Sequence, residues 1–117
     1  MSNKVSVQLK LDKAKISKAS VDSTRSLIRM GYDIANQARR NAPYLTGALR
    51  NTIRVQEVSQ SVVEVIAGGS YGGKSVRYAW KREQGPNRNP STEHYMENAQ
   101  KQIMSGDYLK KYFGDIL

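Results

Sequence analysis

Gly68 to Ser75 reads GGSYGGKS and fits the phosphate-cradling pattern G-x-x-x-x-G-K-[ST]. In that chemistry backbone N–H groups wrap phosphates, the lysine (here Lys74) reaches the outer phosphates and the hydroxyl holds magnesium. An apolar strand, Val62 to Ala67 (VVEVIA), precedes it as required. The residues after it do not fit. Val76-Arg77-Tyr78-Ala79-Trp80 is β-branched and aromatic where a helix N-terminus should face the phosphates. No later apolar strand ends in an Asp that could hold the metal. The segment therefore reads as a flexible hairpin loop, and a nucleotide-dependent enzyme is the reading it displaces.

Other candidate chemistry is thinner. His94 is the one histidine, with Glu93 and Glu97 beside it, and one imidazole with scattered carboxylates falls short of three or four convergent metal ligands. Glu57, Glu64 and Glu83 are unpaired by spacing, so they give no two-carboxylate hydrolase geometry. No G-x-S-x-G elbow is present, and with no Cys there is no thiol nucleophile, zinc ribbon or disulfide scaffold. The sequence offers no catalytic, cofactor or metal constellation, and the expectation is a non-enzyme. Tyr71, Tyr78, Trp80, Tyr95, Tyr108 and Tyr112 interleave with Lys and Arg. That pattern suits core-edge or interface packing better than base stacking, since no RNA-binding consensus accompanies it.

The chain has 117 residues, 38% of them hydrophobic, and a formal charge of +9. That length suits a single domain spanning 1–117 with one modest core. No apolar run reaches the roughly 20 residues of a membrane span, and MSNKVSVQLKLDKAK lacks a signal-peptide apolar stretch. A cytoplasmic site of synthesis and assembly is expected. Over residues 1–40, Lys4, Lys10, Lys13, Lys15, Lys18, Arg25, Arg29, Arg39 and Arg40 face only Asp12, Asp22 and Asp33, a surplus of six. Such a surplus marks a docking surface for an acidic partner or DNA, or simply a solvated helix face with a basic arm over about 1–11.

The elements that would position these residues emerge from periodicity. Ile16, Ser20, Ser23, Leu27, Met30, Ile34, Ala38 and Ala42 recur at steps of three and four, predicting a long amphipathic helix from about Leu11 to Ala42, ended by Pro43. Before it, KVSVQLKL alternates well enough for a short strand with Val5, Val7, Leu9 and Leu11 on one face. After Pro43 come a turn and a short helical piece. Next is a strand carrying Ile53 and Val55, then a turn at Ser59 to Ser61, the strand Val62 to Ala67, the loop Gly68 to Lys74, and a strand Val76 to Trp80. Asn89 and Pro90 read as N-cap and first residue of a helix with Met96, Ala99, Ile103 and Met104 on its apolar face. Gly106 stops that helix, and Asp107 caps a last one. The expected fold class is α+β, a long N-terminal amphipathic helix packed on an antiparallel sheet of three to four strands, with one or two C-terminal helices.

One extended pattern is more specific than any single motif. Ala35 and Ala38 lead to Asn41-Ala42-Pro43, Thr46-Gly47, Leu49-Arg50 and Ile53, then strands, then Tyr78-Ala79 with Glu83 and Gly85, then Pro90 and a helix with Met96 and Ala99. In this order the run resembles the head-to-tail joining, tail-completion family of long-tailed double-stranded DNA phages, with its A-P-x-x-T-G-x-L-r helix end and Y-A-x-x-x-E-x-G strand end. The resemblance covers about Ala35 to Ala99. It departs at Trp80-Lys81-Arg82 and Pro86, where the family carries an apolar or aromatic pair and a Thr.

The resemblance implies a virion protein of the neck that forms a ring, six-fold by expectation, around the DNA channel. Its implied partners are further copies, the head connector or stopper, and the tail terminator or tube proteins; no membrane is involved. Pro43, Thr46, Gly47, Leu49, Arg50, Tyr78, Ala79, Glu83 and Gly85 are the signature residues; Pro43, Thr46 and Gly47 read as corners, and Leu49 and Ile53 as tucked beneath the helix with Arg50 and Arg54 left outside. Arg25, Arg29, Arg39 and Arg40 are the candidate contacts to DNA or an acidic partner. Gly68, Gly69, Gly72, Gly73 and Lys74 form the candidate docking loop. The alternative reading is a small basic nucleic-acid-binding module.

Overall fold

A computed structural model of the chain describes residues 4–10, 21–42, 47–59, 61–71, 74–76, 78–85, 87 and 90–114. Pro43, Thr46, Gly72 and Gly73, and the helical positions expected over 11–20, lie outside the described residues.

Strand β1 (Lys4–Lys10) is followed by helix α1 (Val21–Asn41), the short helix α2 (Ala48–Thr52), and strands β2 (Arg54–Ser59), β3 (Val62–Tyr71) and β4 (Lys74–Val76). Helix α3 (Ala79–Gln84), a 3₁₀ turn (Pro90–Thr92), α4 (Tyr95–Ile103) and α5 (Tyr108–Phe113) complete the order. The strands are antiparallel in the order β1-β3-β2, and β4 pairs with the far end of β3. This is the expected α+β class.

The strand period of two sorts β1 and β3 into faces. Leu9, Val63, Val65 and Ala67 are buried on the face that meets α1, with Val5, Val7 and Val55 packed at its margin. On the other face Gln8, Glu64 and Gln56 stand in one cross-strand row. Ser23, Leu27, Met30, Ile34, Ala35, Ala38 and Ala42 give α1 its buried stripe, each 2% exposed or less. Truncating one of these, such as Ile34→Ala, costs roughly 2–5 kcal/mol. The helix runs close to the sheet at Gly31, where an added Cβ would lie 3.1 Å from Val63 Cγ1 and 3.3 Å from Val55 Cγ1.

Helix α4 packs along α1 and beside β1. Asn41 near the end of α1 donates to Gln102 Oε1 at 2.9 Å, and Gln100 Nε2 donates to the Gln8 carbonyl on the β1 edge at 3.1 Å. On the opposite edge, a register shift between Glu57 and Ser59 leaves Val58 half exposed, as expected of a β-bulge.

Three expected elements are redrawn. Gly68 to Lys74 is not a long loop, because β3 runs on to Tyr71 and β4 starts at Lys74. The strand expected over Val76 to Trp80 stops at Val76, and Ala79 opens a helix. Its aromatic start suggested a strand, but AWKREQ is mostly strong helix formers. The helix expected to open at Pro90 begins instead at Tyr95, after the 3₁₀ turn.

Candidate functional site

The residues with the most developed polar geometry sit at the joint between α3 and α4. Glu83 is 4% exposed, and its carboxylate accepts the N–H groups of Met96 at 2.9 Å and Glu97 at 3.1 Å. These are donors of the first turn of α4, which a helix cannot satisfy from within. A side chain of one helix thus caps another, and its negative charge meets the positive end of the α4 dipole. The Glu83 carbonyl also accepts the His94 N–H at 2.7 Å. His94 holds φ 56°, a left-handed conformation rare outside glycine, which this bond and the cap keep in place.

The contact is reciprocal. Tyr95, fully buried, donates its hydroxyl to the Ala79 carbonyl at 2.9 Å, tying the start of α4 to the start of α3. Burial first, then the Glu83 charge, raises the Tyr95 hydroxyl above its ordinary pKa. Gly85 ends α3 at φ 80°, where a Cβ would lie 2.7 Å from Glu93 Cδ. Glu93 in turn accepts the Asn87 N–H at 2.9 Å, and Asn87 Nδ2 donates to the Arg82 carbonyl at 2.8 Å and to Thr92 Oγ1 at 3.1 Å. Tyr78, half-buried, precedes α3 as its N-cap residue.

Glu83, His94 and Glu97 bring one ligand-type atom each within 4.8 Å of one another. The arrangement suits a helix cap better than a cation. Both Glu83 oxygens are taken by N–H groups, the helix end carries positive potential, and Lys101 Nζ lies 3.1 Å from Glu97.

A second joint gathers the other end of α1. Gly47 holds φ 83° before α2, and Leu49 is buried beneath it. Arg50 donates to the Ala42 carbonyl at 3.0 Å, one of the carbonyls α1 leaves open at its end. Arg39 donates to Asn36 Oδ1 at 2.7 Å and to the Ile53 carbonyl. Thr52, buried, donates to the Leu49 carbonyl and accepts the Gly68 N–H at 2.8 Å. Arg54 donates to the Thr52 and Gly68 carbonyls at 2.8 and 3.0 Å. Arg50 and Arg54 are therefore not left outside, as their sequence pattern suggested. Each is half-buried and ties α2 to its neighbours.

A third joint fixes α5 on α1. Arg29 Nη2 donates to the Lys111 carbonyl at 3.1 Å, and its guanidinium stands 5.2 Å from the Tyr112 ring centroid. The Tyr112 hydroxyl donates to Asp33 Oδ2. Burial and that bond raise the Tyr112 pKa, against a smaller opposing effect of Arg29. Asp107 caps α5 by accepting the Lys110 N–H at 3.3 Å, as its position predicted.

A family model described as "Bacteriophage HK97-gp10, putative tail-component" matches residues 6–79. The chain belongs to the HK97-gp10-like family of phage tail components. No curated protein and no solved structure matches it. The matched region runs from β1 to the first residue of α3, so the family core is the sheet, α1 and α2. The α3–α4 joint and α5 extend beyond it. Within the described residues no helix is long and apolar enough to cross a membrane.

Of the residues expected as a signature, Gly47, Leu49, Arg50, Tyr78 and Ala79 lie inside the matched region and Glu83 and Gly85 beyond it; all seven fall at the first two joints. The four candidate arginines divide. Arg39 and Arg29 bond to backbone carbonyls, whereas Arg25 and Arg40 are exposed on α1, Arg40 donating to Gln37 Oε1 at 2.7 Å. Gly68 and Gly69 lie in β3 and Lys74 opens β4, so the described part of the phosphate-loop match falls on strand, and the match runs on into β4 instead of into a helix. Sequence reasoning missed Glu83 as a cap and the pairing of Tyr112 with Asp33. The spacing of Glu83 from Gly85 in the signature was the one available signal.

Proposed function

We propose that this tail component is a structural protein of the phage neck, which completes the tail and joins it to the head as a closed ring of six copies around the DNA channel. It acts without catalysis or cofactor, assembles in the host cytoplasm and ends in the virion. Its partners are its own copies, the head connector or stopper, and the tail terminator or tube proteins. The observation that carries this reading is the tail-component match over residues 6–79. The joints agree with it, because Glu83, Arg39, Arg50 and Thr52 hold elements to one another and so set the shape of a subunit. Closed cyclic assembly by repeated heterologous contacts is the physical route from one such shape to a ring.

Deleting the gene from the phage tests the proposal. Free tails and DNA-filled heads should accumulate, and the purified protein should restore joining in a mixed extract. Electron microscopy should show six-fold rings alone or at the tail end. Joined particles in the deletion strain would refute the role, and a different symmetry in the particles would refute the stoichiometry.

A further inference from the structure

Arg25, Arg29, Tyr32, Asn36 and Arg40 recur at steps of four, three, four and four, so they form one stripe of α1. All five are exposed, Tyr32 at 54%. At 1.5 Å per residue the stripe is about 23 Å long. Helix α5 lies beside it and adds Lys110 and Lys111, both exposed. The Arg29 guanidinium and the Lys111 ammonium each stand 5.2 Å from the centroid of the same Tyr112 ring. Two full positive charges are thereby held against one ring, which offers only a quadrupole to balance them. Three acids accompany these helices, Asp22 in α1 three residues before Arg25, Asp33 accepting from the Tyr112 hydroxyl and Asp107 capping α5, so the five cations Arg25, Arg29, Arg40, Lys110 and Lys111 still leave the face a positive surplus. The ion pairs formed by Glu97 involve His94 and Lys101, on α4 and its cap, not this face.

We propose that this composite face of α1 and α5 binds the phosphate backbone of duplex DNA, with Arg25, Arg29, Arg40, Lys110 and Lys111 as the phosphate contacts. Arg, Lys, Tyr and Asn are the side chains that contact phosphates in protein–DNA interfaces. An acidic protein partner would also need an apolar anchor at the centre of the interface. Of the large exposed apolar side chains, Val58 and Trp80 lie on β2 and α3, and the stripe itself holds Tyr32 alone, flanked by Arg29 and Asn36, with no exposed aliphatic neighbour among the described residues to widen it into an apolar core. The site is not continuous in sequence. Arg29 and Tyr112 clip a helix beyond the family core onto a helix within it, so the C-terminal segment supplies part of the charge. The neck reading says where such a duplex would come from, and the binding itself is measured on the isolated chain.

The experiment is fluorescence anisotropy of the full chain with a labelled 30-base-pair duplex of random sequence. The five phosphate contacts give a log–log salt slope of roughly −4.5, a weakening on the order of 500-fold between 50 and 200 mM salt. Arg25→Gln with Arg40→Gln, and separately Lys110→Gln with Lys111→Gln, should each reduce the slope by about two. Lys81→Gln with Lys101→Gln removes the same net charge from α3 and α4 and should leave slope and affinity within twofold. Thermal melts of each pair confirm the fold. No binding at 50 mM, equal losses in the control pair, or competition by poly-glutamate as strong as by DNA at equal charge would each overturn the proposal. Joined particles in the deletion strain, with DNA binding by the isolated chain intact, would count against the neck reading instead.

Discussion

The carboxylate of Glu83 accepts the N–H of Met96 at 2.9 Å across the gap between two helices, and that of Glu97 at 3.1 Å beside it. Neither helix could end this way alone. Helix α3 is six residues long and α4 nine, both short of the length at which isolated helices persist in water, so each depends on the other.

Glu83→Ala removes two charge-assisted bonds and should destabilise the protein by about 2–4 kcal/mol in urea unfolding. Glu83→Gln keeps an acceptor oxygen and should cost about half as much. Equal losses would mean that the charge contributes nothing to the cap.

Tyr95 and Tyr112 make stability fall on the alkaline side. Both hydroxyls are raised above the ordinary value, so the native protein holds neutral tyrosines that the unfolded chain ionises first. Their contribution is complete below about pH 10, the unfolded value, and is lost as pH rises beyond it. Tyr95→Phe should cost roughly 1 kcal/mol at pH 8, yet its stability should decline less steeply above pH 10, by up to about 1.4 kcal/mol per pH unit. Parallel declines in denaturation series from pH 8 to 11 would rule this out.

The core of α1 was legible in the sequence because one side of a helix buried on a sheet writes its period into the residues, as Leu27, Met30, Ile34 and Ala38 do. The strand at Lys4–Lys10 was legible for the same reason, with a period of two. The joints were not. Glu83 caps a helix 13 positions away and Tyr112 meets Asp33 79 positions away. Such bonds depend on tertiary approach, which leaves no local pattern. Trp80 misled in another way, since an exposed aromatic at the start of a helix resembles one in a strand.

Gly31 offers a test of the close approach between α1 and the sheet. Alanine normally gains about 1 kcal/mol over glycine inside a helix. Here its methyl would lie 3.1 Å from Val63 Cγ1, and crowding a packed core costs about 1–3 kcal/mol. Gly31→Ala should therefore come out destabilised by roughly 0.5–2 kcal/mol, and Gly31→Leu should fold poorly. A stabilised alanine variant would show that the helix sits farther from the sheet.

Two arginines on one helix should behave differently. Arg39→Ala frees the Ile53 carbonyl and should cost about 1–3 kcal/mol, whereas Arg25→Ala, on the exposed stripe, should stay within about 0.5 kcal/mol of the parent. Chemical denaturation of the two variants side by side decides it.

The amide of Gln100 occupies the Gln8 carbonyl on one margin of the sheet, while β2 forms the other margin. Strand-to-strand growth of the β2 margin of one molecule onto the β1 margin of the next would have to displace that amide. Two β2 margins could still meet, but only about a two-fold axis, which terminates at a pair. In the proposed ring, contacts through side-chain surfaces would leave the symmetry to the angle between packed faces, whereas a shared ladder would fix it by strand twist.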